Sequence, residues 1–176
     1  ANAAHEATML SQLHAVATPA VPIPSSIPRV LACGPLPKPH DHFHHFLLMQ
    51  PFGRHLGMGG DEPAGILCRV LADVCDAMEY AFSQLDLLHR DISADTVMLS
   101  YDAEERLIAK IIDLGIAKDV NTPAGDMATQ AGMLIGNPKY MSPEQLGSIE
   151  DGGQLDGRAD LYGLGVGQWH VASGLV

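Results

Sequence analysis

The chain has 176 residues, 47 % of them hydrophobic, and a formal net charge of −11, with an isoelectric point near 5.0. That size and composition suit one domain with a real core and exclude wholesale disorder. The acidity excludes nucleic acid or an anionic membrane as primary partner, and leaves any phosphate-bearing ligand to local groups and metal. No apolar run approaches the roughly 20 residues of a membrane span, and no signal segment opens the chain. Cys33, Cys68 and Cys75 lack the spacing of a disulfide framework or a zinc site. Cys68 and Cys75 fall on an apolar helical pattern and read as buried structural thiols, which suits a reducing compartment, the cytoplasm.

In chain order, Ala3 to Val16 reads as a helix with Met9, Leu10 and Leu13 as its apolar stripe. Glu6, one turn before Leu10, reads by itself as a solvated helix charge. The proline-rich stretch from Thr18 to Pro28 forbids helix and reads as an irregular connection. Arg29–Cys33 is a short strand closed by Gly34-Pro35, and Phe46–Met49 a buried strand ended by Gln50-Pro51-Phe52-Gly53. Between them His40, His42, His44 and His45 crowd together; without the spacing that zinc prefers, they read as an exposed hairpin tip. The run Gly57–Gly60 lacks a following Lys-Ser/Thr and reads as a linker, not a phosphate loop.

Glu62-Pro63 opens the longest helix, with Leu67, Val70, Leu71, Val74, Met78 and Ala81 or Phe82 on one face. It leads into the stretch Leu87–Lys118, where two β-rich runs, Thr96–Ser100 and Leu107–Ile112, flank a turn-prone segment, Tyr101–Arg106. Each run lies beside an aspartate tripeptide, His89-Arg90-Asp91 or Asp113-Leu114-Gly115. A hairpin here brings the two carboxylates to one sheet edge, an arrangement suited to metal-assisted phosphoryl transfer. Asp119–Ile135 reads as a mobile surface loop. Gly136–Leu146, GNPKYMSPEQL, precedes a short helix start, and Ser148–Gln154 is a further loop. Asp160–Val171 reads as a helix whose Gly163, Gly165 and Gly167 require tight, central burial.

Four of these motifs, in this order, resemble the C-terminal lobe of a protein kinase, most like the bacterial, eukaryotic-type Ser/Thr kinases. The H-R-D-L-x-x-x-N pattern is present as His89 to Thr96, D-F-G as Asp113-Leu114-Gly115, and A-P-E as Ser142-Pro143-Glu144. Asp160 to Gly165 looks like the start of the buried helix that follows them. The resemblance implies an α+β fold: a partial N-terminal lobe and hinge over 1–52 (a helix and two strands), then a mainly helical C-terminal lobe over 53–176. It implies an ATP- and Mg²⁺-dependent kinase acting on a protein Ser/Thr hydroxyl, in the cytoplasm or as the cytoplasmic part of a membrane-anchored protein. Asp91 would orient the hydroxyl and accept its proton, and Asp113 would hold Mg²⁺ on the ATP phosphates. Met49 would be the gatekeeping side chain, Gln50 to Phe52 would bond adenine through the backbone, and Met98 would pack beneath the ring. Glu6 would pair with an ATP-anchoring lysine, and Asp160 would cap the catalytic loop. Arg90 implies control by a phosphate on the activation loop, with Thr122 and Thr129 as candidates.

The pattern is departed from in three places. No Gly-rich loop or V-A-I-K-type lysine precedes Glu6, so the segment reads as a fragment with those parts upstream and little activity by itself. Thr96 stands where the second Mg²⁺ ligand, Asn, is usual. Ser93, counted with the catalytic residues, replaces a lysine, and Asn137 replaces the threonine that braces the loop. The alternative these departures support is a pseudokinase or scaffold module.

Overall fold

A computed structural model of the chain describes residues 3–40, 43–50, 53–56, 62–114, 118–119, 136–146 and 155–174. Among the described residues it is a mixed α and β architecture with three α-helices and small antiparallel sheets. Helix α1 (Ala3–Ala15) buries Ala7, Leu10 and Leu13, and Glu6 with them. The proline-rich connection follows as irregular chain. Strands β1 (Val30–His40) and β2 (Phe43–Met49) form a two-stranded antiparallel sheet. β1 therefore runs past Gly34-Pro35, where the sequence suggested an end. A proline lacks only the N–H, which an outer strand edge does not need, and the register shifts between Pro35 and His40 absorb the misfit.

The expectation of a buried Phe46–Met49 strand is corrected: Phe46 and Leu48 are 40 % and 54 % exposed. Their neighbours Leu47 and Met49 are half-buried, as a strand does when one face is covered and successive side chains alternate. The side chains of 37–44, and so most of the histidine cluster, lie outside the described residues, as do Phe52, Gly57–Gly60 and the 120–135 stretch with Thr122 and Thr129. His45 is exposed.

β3 (Arg54–His55) is a short strand, and α2 (Ala64–Leu85) is the longest helix. α2 buries Val70, Asp73, Val74, Ala77 and Tyr80, a stripe at spacings of three and four with Tyr80 delivering its hydroxyl proton to the Leu13 carbonyl of α1 at 3.0 Å. Leu71 lies off this stripe and is exposed. So is Cys68, while Cys75 is half-buried at the stripe's edge; the reading of both as buried thiols fails for Cys68. α2 stops at Asp86, in the left-handed region at φ 49°, where its N–H closes on the Phe82 carbonyl at 2.8 Å. That is the usual helix-stop geometry with Asp in the place of Gly.

β4 (Leu87–Leu88) follows at once and pairs with β7 (Lys118–Asp119). The hairpin expected from sequence is present: β5 (Val97–Tyr101) and β6 (Leu107–Ile111) pair antiparallel, Val97 opposite Ile111 and Tyr101 opposite Leu107. β3 flanks β5 on its other side. The turn is closed by Asp102, which accepts the N–H groups of Glu104 and Arg106 and the Arg106 Nε–H. One apolar cluster joins α1, α2, the hairpin and α3 (Arg158–Ser173) through Leu10, Val74, Leu99, Ala109, Ile92 and Leu164. α3 is buried on one face only, through Asp160, Gly163, Leu164, Gly167, Gln168 and Val171. Trp169 is 57 % exposed, so central burial holds for half of this helix. Among the described residues no helix is long and apolar enough to cross a membrane.

Candidate functional site

The loop from His89 to Thr96 leaves β4 of one sheet and leads into β5 of another, so its backbone N–H groups have no strand partners and need others. Asp160, buried at the start of α3, accepts two of them: the N–H of His89 at 2.8 Å and of Arg90 at 2.7 Å. Burial pushes the Asp160 carboxyl above its usual range against the pull of His89, Arg90 and these two N–H groups. A short 3₁₀ turn, Ala94–Thr96, ends the loop. There the Thr96 hydroxyl accepts the Ser93 N–H at 2.9 Å and lies 3.0 Å from the Asp91 carbonyl, to which it donates. Thr96 and Ser93 are both buried.

His89 joins this loop to the strand that carries the second aspartate. Its Nε2 lies 3.0 Å from the Ile112 carbonyl, which can only accept, so Nε2 bears the proton. Nδ1 is then free to accept the Asp91 N–H at 3.4 Å. Asp113, next after Ile112, has φ 67°, and Arg90 has φ 71°. Such backbone costs about 1–3 kcal/mol per residue and persists where neighbours over-determine it. At Asp113 the neighbour is Glu6, whose Oε1 accepts the Asp113 N–H at 2.9 Å. At Arg90 both ends of the residue are held, the N–H by Asp160 and the carbonyl by Gln145 Nε2 at 2.9 Å.

Gln145 belongs to the Ser142-Pro143-Glu144-Gln145 run. Its Oε1 accepts the Ser142 N–H while Ser142 Oγ accepts its own N–H, a reciprocal capping box readable as S-x-x-Q. The same segment reaches Asp91: the Asn137 N–H donates to Asp91 Oδ1 at 3.0 Å. The brace is a main-chain group, so it survives the exchange of threonine for Asn137, whose own side chain accepts the Lys139 N–H. Gly136, at φ 110°, makes the approach possible; a Cβ there would stand 2.9 Å from Met141 Cε and 3.2 Å from Asp91 Oδ1.

Glu6 and Asp113 place two carboxylates together, and among the described residues no cation pairs with either. Burial raises the Glu6 pKa, with the Asp113 charge adding to it and the Asp113 and Leu114 N–H groups opposing. Unneutralised acidic groups of this kind fit a divalent cation shared with phosphate oxygens, which Mg²⁺ prefers to an all-protein cage. No cluster of three or more His, Cys, Asp or Glu side chains forms a metal cage among the described residues. Arg90 Nε is buried without a hydrogen-bond partner among them. On the other side, Met98 is half-buried on β5 opposite Lys110 of β6. Met49 ends β2, and Gln50 gives its N–H to the Arg29 carbonyl at 3.0 Å.

Sequence reasoning did not find Asp73, whose buried carboxylate accepts the Ala109 N–H of β6 at 2.8 Å and pairs with Arg69. Nor did it find Gln145 or Lys110. Gln145 carried a signal in its capping-box spacing, whereas Asp73 and Lys110 carried none. A cavity of about 860 Å³ lies away from this site: neither Asp91, Asp113, Met49 nor Met98 lines it.

Comparison with known proteins gives a concordant result. The protein kinase domain family model matches residues 62–175. Serine/threonine-protein kinase Pkn1 of Myxococcus xanthus is 40 % identical over 113 residues, covering 63 % of this chain and 15 % of its own length. Kinase pkn3 of the same organism is 36 % identical over 113 residues, covering 64 % and 20 %. PknF of Mycobacterium tuberculosis is 36 % identical over 119 residues, covering 67 % and 22 %. The chain thus spans about a fifth or less of these relatives. With its family model matched over most of its length and its similarity to bacterial serine/threonine-protein kinases, the chain belongs to the protein kinase domain family.

Proposed function

We propose that the chain is part of the catalytic domain of an ATP-dependent protein kinase that transfers the γ-phosphate to a serine or threonine hydroxyl of a protein. The observation that carries this reading is the His89 bridge to the Ile112 carbonyl, with Glu6 on the Asp113 N–H. Together they tie the Asp91 loop to the Asp113 strand end in one set of hydrogen bonds. Asp91, with Oδ1 fixed by Asn137, presents Oδ2 to the substrate hydroxyl. The hydroxyl oxygen bonds to the γ-phosphorus as the bond to the β–γ bridging oxygen breaks, ADP leaves, and the proton passes to Asp91. Asp113 would hold Mg²⁺, which would supply neutralising charge to the phosphate oxygens. Met49 and Met98 flank the adenine, Phe52 and Gln50 belong to the hinge, and Gln50, its N–H taken, contributes its carbonyl. Arg90, whose Nε has no hydrogen-bond partner among the described residues, receives an activation-loop phosphate on Thr122 or Thr129.

The test is γ-phosphate transfer from Mg-ATP to a protein acceptor, measured on the natural protein that contains this chain. Asp91→Asn is expected to lower kcat by about 10²–10⁴-fold. Unchanged turnover would overturn the role given to Asp91.

A second reading, a pseudokinase that keeps the fold for binding, is favoured by one observation. The Thr96 hydroxyl is buried and engaged with the loop backbone, so it caps the loop where a metal-binding amide would otherwise reach outward. Thr96→Asn separates the two: a gain in transfer identifies a metal site impaired by threonine, and no gain counts against that impairment.

A further inference from the structure

The 860 Å³ cavity lies between the C-terminal half of α1, the connection after it, Gln50 and the tip of the β5–β6 hairpin. Its volume falls within the roughly 300–1,000 Å³ of small-molecule sites. Lys110 of β6 lines it and is only 6 % exposed. The ammonium donates to the Ser25 carbonyl at 3.2 Å and approaches Gln50 Oε1 at 3.4 Å. Both acceptors are neutral, and no carboxylate of the described residues lies within ion-pairing distance. Buried cations are normally paired, because removal from water costs several kcal/mol that neutral acceptors offset only in part. Burial accordingly holds the Lys110 pKa below its usual value.

The rest of the described wall adds no free negative charge. Among the described residues Asp102 is the one carboxylate lining the cavity, and its oxygens are engaged by Arg106 and by the backbone of the turn. Arg29 lines the cavity from an exposed position, with no ion pair among the described residues. His14 gives its Nε2 proton to the Pro28 carbonyl at 3.0 Å, which leaves Nδ1 as an acceptor.

We propose that this cavity binds a small molecule through an oxyanion, a carboxylate or a phosphate, held between the Lys110 ammonium and the Arg29 guanidinium. The site is separate from Asp91 and Asp113, and the proposal stands independently of the kinase reading.

The test is calorimetric titration of the chain with inorganic phosphate and, separately, with succinate, at ionic strength matched with sodium chloride. Saturable one-to-one binding of one of these anions is expected, and the arm that binds identifies the oxyanion. Lys110→Met and Arg29→Gln are each expected to weaken it about tenfold, the effect of losing one charge-assisted hydrogen bond. Arg158→Gln, which removes an exposed cation of α3 outside the cavity lining, is expected to leave it unchanged. Should Lys110→Met fail to fold, Arg29→Gln on the exposed rim decides. Absence of saturable binding in both arms, binding unaffected by Arg29→Gln, or loss of binding in Arg158→Gln would each overturn the proposal. A negative result leaves γ-phosphate transfer, and so the kinase reading, untouched.

Discussion

The Glu6 carboxylate is buried on α1 with a second acid, Asp113, as its neighbour and backbone N–H groups as its partners. Burial is the largest influence and raises its pKa; Asp160 is shifted the same way, again by burial first. A carboxyl with a raised folded pKa binds its proton more tightly folded than unfolded. Its contribution to stability therefore falls as pH rises, from the ordinary carboxylate value of about 4 through the raised folded value. The urea midpoint is expected to decline with pH across that window, and Glu6→Gln, which keeps an oxygen to accept the Asp113 N–H, to flatten the decline. A Glu6→Gln profile parallel to the unsubstituted one would remove Glu6 as a source. At this scale the sequence was informative where a residue sat inside a motif, as Asp91, Asp113 and Asp160 do. It was silent on the Lys110 and Asp73 side chains, because the acceptors and donors that make a buried charge tolerable lie 85 and 36 positions away. Thr96 shows an intermediate case. Its position was legible, but the direction of its hydroxyl, toward the loop's own backbone, depends on the loop's final shape.

Helix α3 carries three glycines whose surroundings differ sharply. A Cβ on Gly163 would stand 2.9 Å from the Ile92 carbonyl and 3.3 Å from that of Tyr140, whereas one on Gly165 meets nothing within 4 Å. Gly163→Ala is therefore expected to destabilise by about 1–3 kcal/mol through overpacking against the His89–Thr96 loop and Tyr140. Gly165→Ala is expected to stabilise by about 0.5–1 kcal/mol through helix propensity alone. Denaturant midpoints check both, and effects of equal sign would refute the assignment of faces. The spans of α1 and α2 were legible from apolar residues at spacings of three and four, and the β5–β6 hairpin from two β-rich runs either side of a turn-prone segment. The length of β1 was not, since its prolines read as breakers when no neighbouring strand is known. The half-exposure of α3 and of β2 was also hidden, because apolar content does not say which neighbours cover it.

Across the whole molecule, one apolar cluster supports both aspartate-bearing segments, and the bonds that shape the site run between distant parts of the chain. Glu6 meets Asp113 across 107 positions, and Asp160 meets His89 and Arg90 across 71 and 70. The order of the motifs was readable at this scale; the hydrogen bonds that join them follow from packing that no local pattern records. These separations have a consequence for how the site comes into being. Contacts between remote residues form only after much chain entropy has been given up, so they are favoured late in folding. In a chain made from its N-terminus, Glu6 emerges long before the amide it will accept, and the His89 and Arg90 amides wait for a carboxylate synthesised about seventy residues after them. In native-state hydrogen exchange, the His89, Arg90 and Asp113 amides are expected to exchange through global unfolding, with a steep denaturant dependence. Fast exchange insensitive to denaturant would instead mark a site that opens by itself. No smaller piece of this fold can rehearse the site: it is assembled once, when the remote parts close together.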